Sequence, residues 1–260
     1  MFKRFKNDLI KYFRFSTISA AYQLKSEVAN SYLNWVWWIL DPLCFMLIYA
    51  FIFGFVFQAS EPYFPVFIFV GLSMWDFFNR NVTNSIKIVK NNKAIVSKVY
   101  FPKYVLILTK IWVNGFKMMI SFGIVVLMMC VFRIPSSLNI FFFFPILMVL
   151  ALFSFGLACF LLHYGVYVED LSNVMAIVMR FLFYGTGVFY NIEKRVPGFG
   201  DLLNKFNPIA FLITSMRKSL IYMETPDLEM LLFWFIVSLL LAIAGIRKIY
   251  KEENSYVKAI

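Results

Sequence analysis

Residues 139–165, NIFFFFPILMVLALFSFGLACFLLHYG, contain no Asp, Glu, Lys or Arg and decide the class of this protein. About 20 mostly apolar residues are enough for a helix to cross the hydrocarbon core of a membrane. The whole 260-residue chain has a similar character, because 62% of its residues are hydrophobic and only 15% are charged, against about a quarter in soluble proteins. We therefore expect an all-α polytopic membrane protein.

Five other segments satisfy the same length requirement and bring the expected number of transmembrane helices to six. They are residues 35–57, 65–86, 104–132, 173–190 and 229–247. Lys and Arg are concentrated in the N-terminal 25 residues (six), in residues 87–103 (five) and after residue 246 (four). The positive-inside rule assigns such segments to the cytoplasm, so both termini are expected there. The net charge of +11 then has a topological origin and does not indicate a nucleic-acid partner.

The first 30 residues predict an amphipathic helix that lies on the inner leaflet, with membrane lipid as its partner. Apolar side chains recur at helical spacing on one face of this helix: Phe2, Phe5, Leu9, Tyr12 and Phe13. Basic side chains occupy the other face: Lys3, Arg4, Lys11 and Arg14.

The connection 191–228 contains a second short apolar segment. The apolar run after Pro208 lasts only about a dozen residues before it reaches Arg217, which is too short to cross a bilayer. We expect two short helices that fold back in the outer leaflet, with Asn207 and Pro208 at the corner and Arg217 at headgroup level. An ordinary external loop helix is the alternative.

Residues for enzyme chemistry are sparse. His163 is the one histidine, the three cysteines lack metal-ligand spacing, and no glycine-rich phosphate-binding loop occurs, so neither a metal nor a nucleotide cofactor is expected on this chain. An integral-membrane glycosyltransferase or phosphotransferase would need clustered acids or histidines near one membrane face. The sequence offers only Glu169, Asp170 and His163 for that role.

Cations inside the expected spans indicate a ligand path. Charged side chains are costly in a bilayer and usually face a protein interior or an aqueous path. Lys117 lies in the third span and Arg180 in the fifth. Arg180 is followed by the aromatic residues Phe181, Tyr184, Phe189 and Tyr190. Cations beside aromatic rings suit an amphipathic ligand with phosphate and sugar parts, although an aromatic belt at the membrane interface would use the same residues.

The segment NNKAIVSKVYFP, residues 91–102, is typical of a docking element. It lies on the expected cytoplasmic side, and it combines Lys93 and Lys98 with Ile95, Val96 and Val99. An apolar face with a charged rim fits a groove on a partner protein. A membrane protein that has a docking helix but lacks its own ATP site implies a separate motor.

Four motifs resemble the membrane-spanning subunits of ABC type-2 exporters, in particular the polysaccharide and teichoic-acid export permeases. They are YLNWVWWILDPL (32–43) through Leu33, Trp37, Leu40 and Pro42; GLSMWDFF (71–78) through Gly71, Leu72, Trp75 and Phe78; NNKAIVSKVYFP through Asn91, Ile95, Lys98, Phe101 and Pro102; and FNPIAFLITSMR (206–217) through Asn207, Pro208 and Arg217. They occur in the family's order, spread over nearly the whole chain.

The resemblance implies an exporter built from two copies of this permease and two ABC ATPase subunits, which bind ATP and Mg²⁺. Its substrate would be an undecaprenyl-diphosphate-linked glycan or a polyol-phosphate polymer, of O-antigen, capsule or teichoic-acid type, moved across the bacterial cytoplasmic membrane. A general exporter of a small lipid or drug is the alternative.

Roles follow from the same resemblance. ATPase coupling is assigned within residues 87–103 and at the next inner loop, through Asn91, Ile95, Val96, Lys98, Phe101, Pro102, Glu169 and Asp170. A gate is assigned to Asn207, Pro208 and Arg217. Two departures stand out, because Glu169 replaces a common Arg and Gly187 replaces a frequent Pro.

Overall fold

The computed structural model is helical throughout its described residues, which are 2–29, 34–56, 61–135, 137–195 and 198–259. Side chains are described in these ranges except at residues 2–7, 9, 28, 34, 254 and 257–259. Leu33 of the first motif and the side chains of Phe2, Phe5 and Leu9 therefore lie outside the described part. No β-strand occurs within it.

The helices follow one another along the chain with short connections. They are α1 (Phe2–Val28), α2 (Asn34–Tyr49, continued by a π-helical segment Ala50–Val56), α3 (Phe64–Ile86), α4 (Ile88–Asn91), α5 (Lys93–Val96), α6 (Tyr104–Val131), α7 (Phe143–Tyr167, preceded by a 3₁₀ turn Leu138–Phe142), α8 (Leu171–Gly185), α9 (Ile192–Arg195), α10 (Gly200–Phe206), α11 (Pro208–Leu220) and α12 (Leu228–Ala259).

Four of the six expected spans form helices that are long and apolar enough to cross a membrane. Within the described residues these helices cover Trp35–Val56, Tyr104–Val131, Leu138–Tyr167 and Leu228–Glu253. Each corresponds to a segment that hydropathy alone had marked, because none of the four apolar windows carries more than two charged side chains.

The other two expected spans, α3 and α8, have different characters. The second half of α3 carries Asp76, Asn79, Arg80 and Asn81, which lower its hydropathy. α8 has only 15 residues and ends at Gly185, five residues earlier than predicted. The backbone leaves the helix there because Gly187 adopts φ +65, in the left-handed region that glycine tolerates and proline cannot adopt.

α3 is the centre of the bundle. Every residue from Val66 to Trp75 is buried, and the helix contacts α2, α6, α7, α8 and α11. The ion-paired Asp76 and Arg80 on it are about half exposed, whereas Ser73, Asn81 and Ser85 are buried. One of them, Asn81, accepts a hydrogen bond from Asn114 Nδ2 of α6 at 2.8 Å, which ties the two helices together in the buried interior.

The connections between helices lie at two ends of the bundle. The basic end comprises residues 87–103, 168–170 and 250–259, joined by contacts such as Lys90 with Glu169. The far end comprises residues 61–63, 132–135, 137–139, 186–195 and 198–227, joined by contacts such as Glu61 with Tyr222. α1 starts at the basic end, where Tyr250 OH donates to Asp8 Oδ2 at 2.7 Å, and packs along the first half of α6.

α7 and α12 form the closest helix pair, and two glycines make the approach possible. A Cβ on Gly156 would lie 2.8 Å from the Ala242 backbone nitrogen, and one on Gly245 would lie 2.6 Å from Cys159 Cβ. Small residues at membrane helix interfaces allow backbones to approach in this way.

Gly156→Ala is expected to destabilise the protein because the new methyl group meets backbone atoms that cannot rotate away. The expected loss is roughly 1–3 kcal/mol, the usual cost of overpacking. The check is the apparent melting temperature of the detergent-purified chain. Gly123→Ala on α6 is the matched control, since nothing lies within 4 Å of its new Cβ. Equal melting temperatures for the two variants would contradict the packing described.

Candidate functional site

The expected docking segment at the basic end is two short helices, α4 and α5, followed by an extended stretch. Ile95 and Val99 are 50% and 57% exposed, and Asn91 and Lys98 are exposed beside them. Val96, by contrast, is only 5% exposed and packs into the bundle. The face available to a partner is therefore formed by Ile95, Lys98 and Val99, and Val96 positions that face from beneath.

The rest of the segment is anchored in the bundle. Phe101 and Pro102 are buried, and Phe101 belongs to an apolar cluster that also contains residues of α6, α7 and α12. Lys103 is 1% exposed and donates through Nζ to the Phe101 carbonyl oxygen at 3.1 Å. Burial lowers the pKa of Lys103, while the nearby charge of Glu253 on α12 acts in the opposite direction. The segment is thereby fixed to three long helices.

An ion pair joins the docking segment to the loop before α8. Lys90 Nζ lies 2.7 Å from Glu169 Oε1, and this hydrogen bond lowers the pKa of the Glu169 carboxyl. Asp170 is exposed beside it. The departure noted at Glu169 thus places an acid within reach of Lys90. Beneath the pair, Gly165 allows α7 to approach the end of α3, because a Cβ there would lie 2.2 Å from the Ile86 carbonyl oxygen.

Between α2, α3, α6 and α8, three adjoining cavities of about 70, 170 and 320 Å³ form a groove. The first and second share Asp76 and Arg80, and the second and third share Trp75 and Phe183. Lys117 lines the first cavity and Arg180 the third. The two cations that the sequence singled out therefore lie along the same row of cavities, with the aromatic side chains of Trp75 and Phe183 between them.

Carboxylates accompany most of the charges in the groove. Lys117 Nζ lies 2.6 Å from Glu27 Oε2 of α1 and 5.7 Å from the centre of the Trp38 ring. Arg80 pairs with Asp76 at 3.6 Å. Arg180 is exposed and has no carboxylate within ion-pair distance in the described ranges. Of these cations, Arg180 has the most capacity left for an anionic ligand.

Asp41 also lines the first cavity, and sequence reasoning missed it. An acid within an otherwise apolar expected span was the available signal, because such residues usually face the protein interior.

The aromatic residues after Arg180 divide into two groups. Phe189 is 3% exposed, and its ring centre lies 4.5 Å from Tyr49, 4.7 Å from Phe53 and 5.0 Å from Phe183. It therefore packs α2 against the turn that follows α8. Phe181 and Tyr184 are 78% and 64% exposed on α8, and Tyr190 is half-buried, donating through its hydroxyl to the Tyr184 carbonyl oxygen. These three are the residues free to face another molecule.

Arg217 is buried within the protein. It is 3% exposed and donates three hydrogen bonds to backbone carbonyl oxygens: Nε to Phe67 at 3.1 Å, Nη1 to Gly187 at 2.8 Å and Nη2 to Val188 at 2.7 Å. A Cβ on Gly71 would lie 2.6 Å from Nη2. The glycine of one motif thus makes room for the arginine of another.

Asn207 separates two short helices, α10 and α11. Its side-chain oxygen accepts hydrogen bonds from the backbone nitrogens of Ile209 and Ala210 at 3.1 and 3.2 Å, and Pro208 occupies the first helical position. Asparagine at the N-cap followed by proline is a favourable start for a helix. The Asn-Pro pair therefore determines where α11 begins.

A bundle of apolar helices with a charged groove between them and an anchored segment at one end is the architecture of a membrane permease rather than of an enzyme. The chain belongs to the ABC-2 type transporter family, whose model matches residues 18–221. It is thus a multi-pass transport subunit, and the resemblance inferred from its motifs is confirmed at the level of the family.

Two relatives of similar length match this chain over most of their sequences. The chain is 25% identical over 238 residues to the O-antigen export system permease protein RfbA of Klebsiella pneumoniae, with 91% of each chain covered. It is 24% identical over 239 residues to the protein of the same name from Myxococcus xanthus, with 92% of each covered.

Arg217→Gln is expected to destabilise the far end because it removes the charged donors of three buried carbonyls. Each hydrogen bond to a charged group contributes about 1.5–3 kcal/mol, so the total loss should exceed about 3 kcal/mol. Gly71→Ala should act in the same direction by displacing the guanidinium. Thermal unfolding of the detergent-purified variants measures both effects.

Lys205→Gln is the control for this series, since it removes a cation from an exposed pair with Asp201 at the same end. Its melting temperature is expected to match that of the unmodified chain. An Arg217→Lys variant as stable as the unmodified chain would show that the three-carbonyl geometry is not required.

Proposed function

We propose that this chain is the permease of an ATP-driven exporter that moves a lipid-diphosphate-linked polysaccharide or polyol-phosphate polymer across the bacterial cytoplasmic membrane. The docking segment carries the proposal. Ile95, Lys98 and Val99 form an exposed apolar and basic face, while buried Val96, Phe101 and Lys103 fix it to the bundle. A segment fixed in this way can transmit a displacement of its partner to the helix bundle.

The partner is an ABC ATPase in two copies, each holding its own ATP and Mg²⁺. The two copies would contact two permease chains at Asn91, Ile95 and Lys98, with Glu169 and Asp170 adjoining through the Lys90 ion pair. Nucleotide-driven closure of the ATPases would press on this surface. Because the segment joins α3 to α6 and is tied to the start of α8, all three helices would receive the displacement.

A homodimer is favoured by the surface of α2 and α8. Met46 is the one buried side chain among residues 35–56, and Met179 is the one in α8. Lipid can cover part of this surface. The two helices also border the groove, so a second copy packed against them would enclose it and form a path between the two chains.

Six crossings with both termini in the cytoplasm is the topology that this function needs. α3 and α8 would be the two polar crossings, since their charged residues face the groove and the bundle interior. α10 and α11 would act as the outer gate, with α11 held by Arg217. α1 would lie at the inner leaflet against α6.

Groove chemistry and the relatives support the choice of substrate. Arg180 offers an uncommitted guanidinium, which suits a phosphate, and exposed Phe181 and Tyr184 on the same helix offer faces for sugar rings. The relatives from Klebsiella pneumoniae and Myxococcus xanthus are named as O-antigen export permeases. A glycan on a lipid diphosphate combines both chemical features.

Photo-crosslinking tests the docking segment. A photo-reactive amino acid incorporated at position 95, 98 or 99 is expected to crosslink to the ATPase in an active complex. Position 240 is the control, because Leu240 is 61% exposed on α12 but lies within an expected span. An exporter that stays active and yields no ATPase crosslink from any of the three positions would contradict the assignment.

Arg180→Gln tests the substrate. If Arg180 binds the diphosphate, the substrate concentration for half-maximal stimulation of ATP turnover should rise about tenfold, since a charge-assisted hydrogen bond contributes about 1.5–3 kcal/mol. Basal turnover should be unchanged. Arg195→Gln removes the same charge from an exposed position at the far end and should leave stimulation unaffected. Equal loss of basal and stimulated turnover in Arg180→Gln would indicate a structural role instead.

A further inference from the structure

A fourth cavity lies at the far end, apart from the groove. Its volume is about 240 Å³, and it opens to the surface between α9 and α11. Its lining consists almost wholly of polar side chains: Asn191, Glu193, Lys194, Thr214, Arg217, Lys218, Tyr222 and Glu224, with Phe67. The volume corresponds to about eight water molecules and is below the roughly 300 Å³ at which drug-sized pockets begin. It suits one small ring rather than a length of polymer.

Cations in this cavity are already compensated. Lys194 Nζ lies 3.0 Å from Glu61 Oε2, and Lys218 Nζ lies 3.6 Å from Glu193 Oε1. The guanidinium of Arg217 is occupied by its three carbonyl oxygens. Glu224 adds a further negative charge. With Glu61 included, the three cations are balanced by three carboxylates, so the cavity has no net positive charge to attract a phosphate.

The cavity nevertheless keeps both unused hydrogen-bond donors and unused acceptors. Each lysine ammonium has three N–H donors. Lys194 uses one of them on Glu61, whereas Lys218, 3.6 Å from Glu193 Oε1, lies beyond hydrogen-bond distance of that carboxylate. The Tyr222 hydroxyl donates to Glu61 at 2.7 Å, and the Thr214 hydroxyl donates to Asn204 Oδ1 at 3.0 Å, so both oxygens can still accept. The exposed carboxylate of Glu224 has no hydrogen-bond partner among the described side chains. The cavity lining thus offers both donors and acceptors.

We propose that this cavity binds one neutral sugar ring of the exported polymer. Sugar hydroxyls both donate and accept, so they match a lining that offers donors and acceptors together, whereas an ionised phosphate or carboxylate only accepts. The inference rests on the proposed function, because a polymer leaving at the far end would pass α9 and α11. It assigns the charged groove to the lipid diphosphate and this cavity to the uncharged glycan.

Saturation-transfer NMR on the full chain in lipid nanodiscs tests the inference with defined probes. Neutral methyl glycosides of mannose, galactose and rhamnose serve as the sugars, and inorganic phosphate and glucose 1-phosphate as the anions. At least one neutral glycoside should receive saturation, and neither anion should displace it. Thr214→Val and Glu224→Ala should reduce the signal at least fivefold with unchanged melting temperature.

Asp201→Asn is the matched control, because it removes a carboxylate from neighbouring α10 whose described partner is Lys205. It should keep the full signal. The inference is overturned if no neutral glycoside receives saturation, if either anion displaces a bound glycoside, or if both cavity variants bind as well as the control. Polymer export in cells is measured separately. If the chain exports glycan but binds no glycoside, only this inference is wrong. If the chain exports no glycan, the proposed function is wrong.

Discussion

The guanidinium of Arg217 determines the far end of the molecule. A buried arginine is tolerated only when its charge and its donors are satisfied, and here three backbone carbonyls meet that requirement. Those carbonyls belong to α3 and to the turn after α8, so one side chain of α11 holds three separate parts of the chain in register. The absent side chain of Gly71 and the positive φ of Gly187 are both conditions for this contact.

The basic end is held by different means. Apolar contacts anchor the docking segment through Phe101, and the buried ammonium of Lys103 anchors it near Glu253. The Lys90–Glu169 pair is exposed, and exposed pairs contribute little to stability. Its position between two loops matters more than its strength, because it is a direct polar link between the docking segment and α8. The proposed mechanism uses that link to convey displacement.

Hydropathy predicted the four apolar helices because burial in lipid requires long uncharged runs and little else. The predicted bounds of α3 agree with the helix to within one residue, although its second half carries charges. The prediction for α8 was less successful, because the end of that helix depends on the backbone angle of Gly187. Residues 88–91 and 93–96 form two four-residue helices, which give too little periodicity to identify Val96 as the inward residue. The burial of Arg217 was beyond prediction as well, because its three carbonyl partners lie about 30 and 150 residues away in the sequence. The Lys117–Glu27 pair was beyond prediction, because 90 residues separate its members.

The contact of α7 with α12 at Gly156 and Gly245 has a mechanical consequence. At these two positions no glycine side chain separates the helices, so movement of either helix there would cause a steric clash. Elsewhere in the pair, side chains such as Phe155, Leu162 and Ile249 form an apolar cluster. α2 and α8 have few buried side chains and lack such a brace. In such a permease α7 and α12 form the more rigid side of the bundle, and α2 and α8 form the side that is more easily displaced.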